Sequence, residues 1–374
     1  MRAARLIIAD SEKNANLYYA TRFLAPDPFI FLEADGRRLM VMSDLELDRA
    51  KAQAKADEVL SATALSRAAK RRGVAEPTTA DVADELLKAH AVTDIEVPFE
   101  FGLAHADALR ARGYTVRATP EPFFPERLVK SEEEIGWLVQ SLRVTEEALA
   151  CAIELIRNAE VRPGGELWIG GKPLTAELVR KAMHLTMMER DCVAQHTIVA
   201  CGVQAVDPHQ EGSGCLVANQ PIVMDVFPQH TGSRYFADLT RTVVKGTASP
   251  KVKRMFEAVR EGQEIAYRML KDGVDGSTVH KAISESFERQ GFKTGEQDGR
   301  MQGFFHGTGH GVGLEIHEPP RISGKPDTLK TGMVVTVEPG LYYLDAGGMR
   351  IEDMVVITQD GCRVLTEAPN ALEV

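Results

Sequence analysis

Residues 222–242 read IVMDVFPQHTGSRYFADLTRT, two strand-like runs on either side of a Thr231-Gly232 turn. In an antiparallel hairpin symmetric about that turn, Asp225 falls opposite Asp238. Directly opposed carboxylates destabilise a hairpin, so either one is protonated or a cation lies between them. An exposed polar strand face explains the pair poorly, because Ile222, Val223, Met224, Val226 and Phe227 make the first run almost wholly apolar. The expectation is a sheet with acids emerging from apolar strands, and such acids need partners elsewhere in the chain.

Phe304 to Glu318 reads FFHGTGHGVGLEIHE, with three of the ten histidines and a glycine at every odd position from 307 to 313. His306 and His310 have the i, i+4 spacing of a zinc-binding helix, but each Gly costs ~1 kcal/mol relative to Ala in a helix interior. An extended segment, bared by its glycines so that a ligand or another backbone can approach, is the better reading. Three unrelated polar histidines in a glycine loop is the plainer alternative. The run GMVVTVEPGLYY puts Glu338 at the end of an apolar strand, where an unpaired carboxylate is costly to bury. In GGMRIEDMVVIT, period-two geometry puts Arg350 and Glu352 on one face and Asp353 on the other, so Arg350 could simply neutralise Glu352. Together, Asp225, Asp238, Glu338, Glu352 and at least one imidazole form an oxygen-rich donor set. Such a set suits a dinuclear site of manganese, cobalt, iron or zinc rather than a thiolate-selected metal.

These motifs resemble the pita-bread metallopeptidases, the family of aminopeptidase P, prolidase and methionine aminopeptidase, together with the non-metal enzyme creatinase. The family's ligand positions are matched by Asp225 in IVMDVFP, Asp238 in FADLTRT, His310 in HGTGHGVG, Glu338 in TVEPG and Glu352 in MRIED. The resemblance implies two divalent metal ions, manganese first and cobalt, zinc or iron as alternatives. Asp238 and Glu352 would bridge them, Asp225 would complete one, and His310 with Glu338 the other. The full ligand set disfavours creatinase and ligand-free relatives. One departure is the spacing of the two aspartates, 13 positions apart here and usually shorter in the family.

Positions matching the family's proline-specific members are His209 in DPHQEGSG, His306 in HGTGH, His317 in LEIHE and Arg350 in MRIED. The resemblance therefore implies an Xaa-Pro peptidase, of aminopeptidase P or prolidase type, acting on peptides with proline in second position. Glu338 would shuttle a proton from the attacking water to the leaving nitrogen. His209 and His317 would hold the peptide carbonyl, His306 would face substrate, and Arg350 would reach the rim of the metal site. Thr240, on the same strand face as Asp238, would support a bridging carboxylate. His105, His184, His196, His230 and His280 match nothing in the family and are read as solvated or core residues. The alternatives are a methionine or general aminopeptidase, or a non-catalytic peptide-binding relative on the same fold.

The 374-residue length suggests two domains, with a boundary that gives 1–126 and 127–374. The expected class is α/β (α+β): a small creatinase-type N-terminal domain, then a pita-bread domain of duplicated helix-helix-strand halves related by a pseudo-twofold. In the first domain, Asp35-Gly36 marks a hairpin in FIFLEADGRRLMVMS and DLELDRAKAQAKADEVL reads as helix. In the second, a Ser131/Glu134 capping box opens a long helix, followed by a helix over 175–190 and by the two strands around Asp225 and Asp238. Ser249-Pro250 then opens a helix to about 270, GSTVHKAISESFERQG gives another, and strands follow at 304–317, 333–343 and 350–358.

The formal net charge is −10 with acids and bases interspersed, which leaves no basic footprint for nucleic acid. Five widely spaced cysteines without a CxxC suggest neither a disulfide framework nor a thiolate zinc site, and point to a reducing cytoplasm. The apolar run LIIA near the N-terminus is too short for a signal peptide, and no span of membrane length follows. A cytoplasmic homodimer without a membrane or nucleic-acid partner is the expectation.

Overall fold

The computed structural model describes residues 3–374, and the chain divides into two compact units between Arg127 and Leu128. The first unit is a six-stranded mixed sheet in the spatial order Glu58–Ser61, Arg37–Met42, Phe29–Ala34, Ala4–Ala9, Asp94–Pro98, Thr115–Thr119. Its central hairpin turns at Asp35 and Gly36, both with positive φ (50° and 76°), the geometry for which an Asp-Gly pair is selected. Both sheet faces are buried. Leu6, Leu32 and Leu39 pack with Leu86 and Leu87 on one side, and Ile7, Phe31 and Met40 with Phe23 and Phe123 on the other. The helix expected over DLELDRAKAQAKADEVL stops early, at Leu47–Gln53. Its tail instead donates Lys55 N–H to Thr21 O (2.7 Å) and Asp57 N–H to Arg38 O (2.8 Å), and continues as the parallel strand Glu58–Ser61. Sheet pairing outweighs helix propensity there.

The second unit repeats one order of elements. Its first half has the helices Glu132–Arg157 and Ala176–Met188 packed together, then an antiparallel sheet of Ile198–Cys201, Pro221–Val226 and Leu239–Val244. The second half has the helices Pro250–Met269 and Gly276–Arg289. They precede a five-stranded sheet in the order Glu318–Ile322, Gly309–Gly311, Val334–Val337, Asp353–Ile357, Cys362–Val364. The starts of the long helices are as the sequence prescribes. Ser131 and Glu134 form the reciprocal capping box, and Ser249 caps a helix whose first residue is Pro250. Among the described residues, no helix is long and apolar enough to cross a membrane.

Four expectations about the strands need correction. In the aspartate hairpin, Asp225 pairs with Thr240 and Val226 with Leu239, and an outlying bridge joins Gln229 to Phe236. The turn is therefore centred between Gly232 and Ser233, one position later than its sequence symmetry suggested. That moves each partner by two residues and, because side chains alternate, leaves Asp225 and Asp238 on one face. The 304–317 stretch is not one strand. Among the described residues only Gly309–Gly311 of it is a paired strand, and there a Cβ at Gly309 would lie 1.9 Å from Thr336 O and one at Gly311 2.2 Å from Pro319 O. These glycines thus answer to neighbouring backbones rather than to a substrate. Finally, Pro339 interrupts 333–343, which lies in two sheets as Val334–Val337 and Gly340–Tyr343. The strand expected over 350–358 is Asp353–Ile357, leaving Ile351 and Glu352 in the corner before it.

Candidate metal centre

Strand ends converge on one cluster of acids and imidazole. Asp225 is the penultimate residue of Pro221–Val226, and Asp238 immediately precedes Leu239–Val244. His310 is central in Gly309–Gly311. Val337 and Asp353 are ladder partners, so Glu338, just beyond one, and Glu352, just before the other, emerge side by side at the same end of the sheet. Asp238, His310 and Glu352 each bring a ligand atom within 4.8 Å of the others. His310 Nε2 lies 3.5 Å from Asp238 Oδ2 and 3.4 Å from Glu338 Oε1.

Hydrogen bonds fix which atoms are free. His310 Nδ1 is 3.1 Å from Gly311 O, an acceptor only, so Nδ1 carries the proton and the Nε2 lone pair faces the carboxylates. Burial pushes His310 down to about 3, which keeps the ring neutral. The Thr336 hydroxyl accepts from His310 N–H (3.1 Å) and lies 3.4 Å from Glu338 Oε1. Thr240 Oγ1 donates to Glu352 Oε2 at 2.7 Å. Arg350 Nη2 donates to Asp225 Oδ2 at 2.6 Å, so its ion-pair partner is Asp225 rather than the Glu352 that strand alternation suggested. The other Asp225 oxygen, Oδ1, is buried with no hydrogen-bond partner among the described residues.

Burial, and after it the neighbouring carboxylates Glu352, Asp225 and Glu338, raise Asp238 far above the usual carboxylate range. Burial, then Glu338 and Asp225, do the same to Glu352. Burial lifts Glu338 to about 7 against the opposing effect of Arg350. Like charges this close and dry cannot all ionise unaided. An orphaned Oδ1, a lone pair on a neutral imidazole and four crowded carboxyls fit divalent cations bound among Asp225, Asp238, His310, Glu338 and Glu352.

The cluster forms the floor of a cleft of ≈ 870 Å³ whose walls include His209, Phe305, His306, His317 and Arg321. His209 and His317 are exposed, and among the described residues neither ring nitrogen pair has a protein partner. His317 stands edge-on to His310, ring centres 4.4 Å apart. His306 differs. Its Nδ1 is 2.7 Å from Gly307 O and its Nε2 2.9 Å from Tyr342 Oη, which in turn accepts from Arg350 Nη1 at 2.7 Å. Gly307 O can only accept, so His306 Nδ1 carries the proton, Nε2 accepts from the Tyr342 hydroxyl, and both His306 nitrogens are engaged within the protein. Tyr342 and Thr336 were missed in the sequence. A signal existed for Thr336, which shares a strand face with Glu338, whereas Tyr342 is identified only by the pairing of its strand with Gly347–Arg350. His196, read as solvated or core, is exposed, pairs with Glu211 (2.8 Å) and stands on the cleft wall.

A model of metallopeptidase family M24 matches residues 137–359. The chain belongs to that family. Among curated relatives, it is 33% identical to the Xaa-Pro dipeptidase of Pyrococcus furiosus over 249 residues, 66% of this chain and 65% of that one. It is also 33% identical to the Xaa-Pro dipeptidase of Pyrococcus horikoshii over 251 residues, 66% of this chain and 64% of the relative. The matches thus span slightly less than two thirds of the relatives' length. The X-Pro aminopeptidase from Thermotoga maritima superposes over 100% of this M24 chain and 97% of its own, with a TM-score of 0.81 and 26% identity. The prolidase from P. furiosus does so over 98% and 97%, with a TM-score of 0.78 and 24% identity. The expected pita-bread fold is therefore the observed one.

Proposed function

We infer that this M24 protein is a divalent-metal-dependent Xaa-Pro peptidase of the dipeptidase type. The observation that carries the reading is the convergence of Asp238, His310 and Glu352 within 4.8 Å, with Asp225 and Glu338 adjoining, beneath a cleft bearing two imidazoles that have no protein partner among the described residues. Two divalent ions held there would lower the pKa of water and polarise the scissile carbonyl. Asp225, Asp238, His310, Glu338 and Glu352 would hold them. Glu338 takes a proton from the attacking water at a carboxylate oxygen and returns it to the departing proline nitrogen. His209 and His317 donate to the substrate carbonyl as negative charge grows on its oxygen. Arg350 neutralises Asp225 and, through Tyr342, fixes the His306 ring, which with Phe305 forms an apolar wall for the pyrrolidine.

Proline second in the peptide makes the scissile amide tertiary, with no N–H to recognise, so shape and charge around the proline carry the specificity. Arg321 is exposed on the cleft wall, and its guanidinium has no acidic partner among the described residues. A free carboxylate on the proline is its natural counter-ion. This supports a dipeptide substrate over a longer chain, as do the Xaa-Pro dipeptidase names of the relatives. The test is hydrolysis of Xaa-Pro beside Xaa-Pro-Xaa and Met-Ala peptides, before chelation and after reloading with manganese or cobalt. Faster cleavage of Xaa-Pro, lost on chelation, supports the reading. A preference for the tripeptide makes the protein an aminopeptidase P, and a preference for Met-Ala a methionine aminopeptidase. A metal-loaded protein that cleaves none is a binding relative.

A further inference from the structure

Behind the cluster, on the opposite face of the Leu239–Val244 strand from Thr240, lies a buried arginine that the chemistry above leaves unused. The Arg241 side chain is 4% exposed, and all of its N–H groups are spent. Nε donates to Pro369 O (3.1 Å), Nη1 to Thr240 O (2.9 Å) and Glu352 O (2.7 Å), and Nη2 to Asp353 Oδ1 (2.8 Å) and Ala368 O (2.7 Å). The second Asp353 oxygen accepts from Gln263 Nε2 (3.0 Å) and the Tyr267 hydroxyl (2.7 Å) on the Pro250–Met269 helix. One guanidinium thus ties together the strand that begins beside Asp238, the corner that carries Glu352, and the 368–369 segment, with Asp353 linking it to the helix behind.

The corner needs such a tie. Glu352 belongs to no strand, and the backbone bond from its N–H to Thr240 O (3.1 Å) is the one ladder-like contact it makes. Its carboxylate is held separately, by Thr240 Oγ1. Stability alone does not demand an ion pair here, since well-packed apolar side chains often replace buried pairs without loss.

We propose that Arg241 is a positioning residue that fixes Glu352 relative to Asp238 and thereby sets the affinity of the paired cation sites. The proposal rests on the assignment of those two acids as ligands. Arg241→Lys keeps a cation for Asp353 but cannot span the Thr240 and Glu352 carbonyls. The experiment is calorimetric titration of manganese and of cobalt into the chelated full-length protein, alongside steady-state kinetics and thermal melting. Arg241→Lys should weaken at least one ion by about tenfold or more, and lower kcat by a similar factor with KM for the dipeptide little changed. Tyr267→Phe removes a single hydroxyl from Asp353 and should shift the same two quantities in the same direction, by about two- to fivefold. It decides the matter if Arg241→Lys does not fold. Wild-type metal affinity and kcat in the folded variants, with only a lowered Tm, would overturn the proposal. A wild-type protein that takes up no divalent ion would instead overturn the ligand assignment beneath it.

Discussion

His209, His306 and His317 line one cleft, yet their hydrogen bonds separate them. His306 has both nitrogens engaged inside the protein, whereas His209 and His317 present theirs to the cavity. His209→Ala should therefore lower kcat by about 100-fold while leaving metal content unchanged, as for removal of one transition-state donor. Metal analysis of the purified variant checks this, and loss of metal would make His209 a ligand. Asp238→Ala and Glu352→Ala should each abolish both stoichiometric metal uptake and turnover, since each would remove a carboxylate from the proposed metal site. Retained metal with normal turnover contradicts that assignment. Much of this cluster was legible as residue types, because a carboxylate at the end of an apolar run needs a partner. Individual pairings were not. Arg350 meets Asp225 instead of Glu352 because Glu352 turns the corner after the Gly347–Arg350 strand, and alternation ceases to predict direction once a strand ends.

Among the elements, caps and hairpin turns were readable because their residues act locally. The Ser131/Glu134 box and the Asp35-Gly36 turn are cases in point. Strand extent was not, because it depends on what lies opposite: Gly309 and Gly311 mark where neighbouring backbones press closest. Gly311→Ala, whose Cβ would lie 2.2 Å from Pro319 O, should destabilise the second unit by about 3 kcal/mol or more, read as a lowered denaturation midpoint. A midpoint within error of wild type would show that the strands yield. The Thr79–Ala89 helix offers a pH test. Asp81 completes its capping box with Thr78 and pairs with Arg112 (2.5 Å). The Thr78 side chain first, and then Arg112, hold Asp81 at about 2, below its ordinary 3.8. A depressed acid stabilises the fold above its unfolded pKa and loses that contribution as pH falls through the folded value. Asp81→Asn should thus cost about 2 kcal/mol near pH 7, and variant and wild type should converge as pH drops from ~4 to ~2. Hydrogen exchange in this helix reports the difference, and a gap that persists at the acid end would assign the effect to packing.

At the scale of the whole molecule, one order of helices and strands used twice brings two sheets together so that acids from each meet at their strand ends. No single motif in the sequence contains that site. Asp225 and Asp238 come from one half, His310, Glu338 and Glu352 from the other, and only the duplication makes them neighbours. We propose that this shared site hydrolyses the bond before proline with bound divalent metal. The most direct test is kcat/KM of the manganese- or cobalt-loaded protein on matched Xaa-Pro and Xaa-Ala dipeptides, repeated after chelation. Proline should be favoured by orders of magnitude, and chelation should remove the activity until metal is restored. Comparable kcat/KM on the two dipeptides, or undiminished cleavage by the chelated protein, would contradict it.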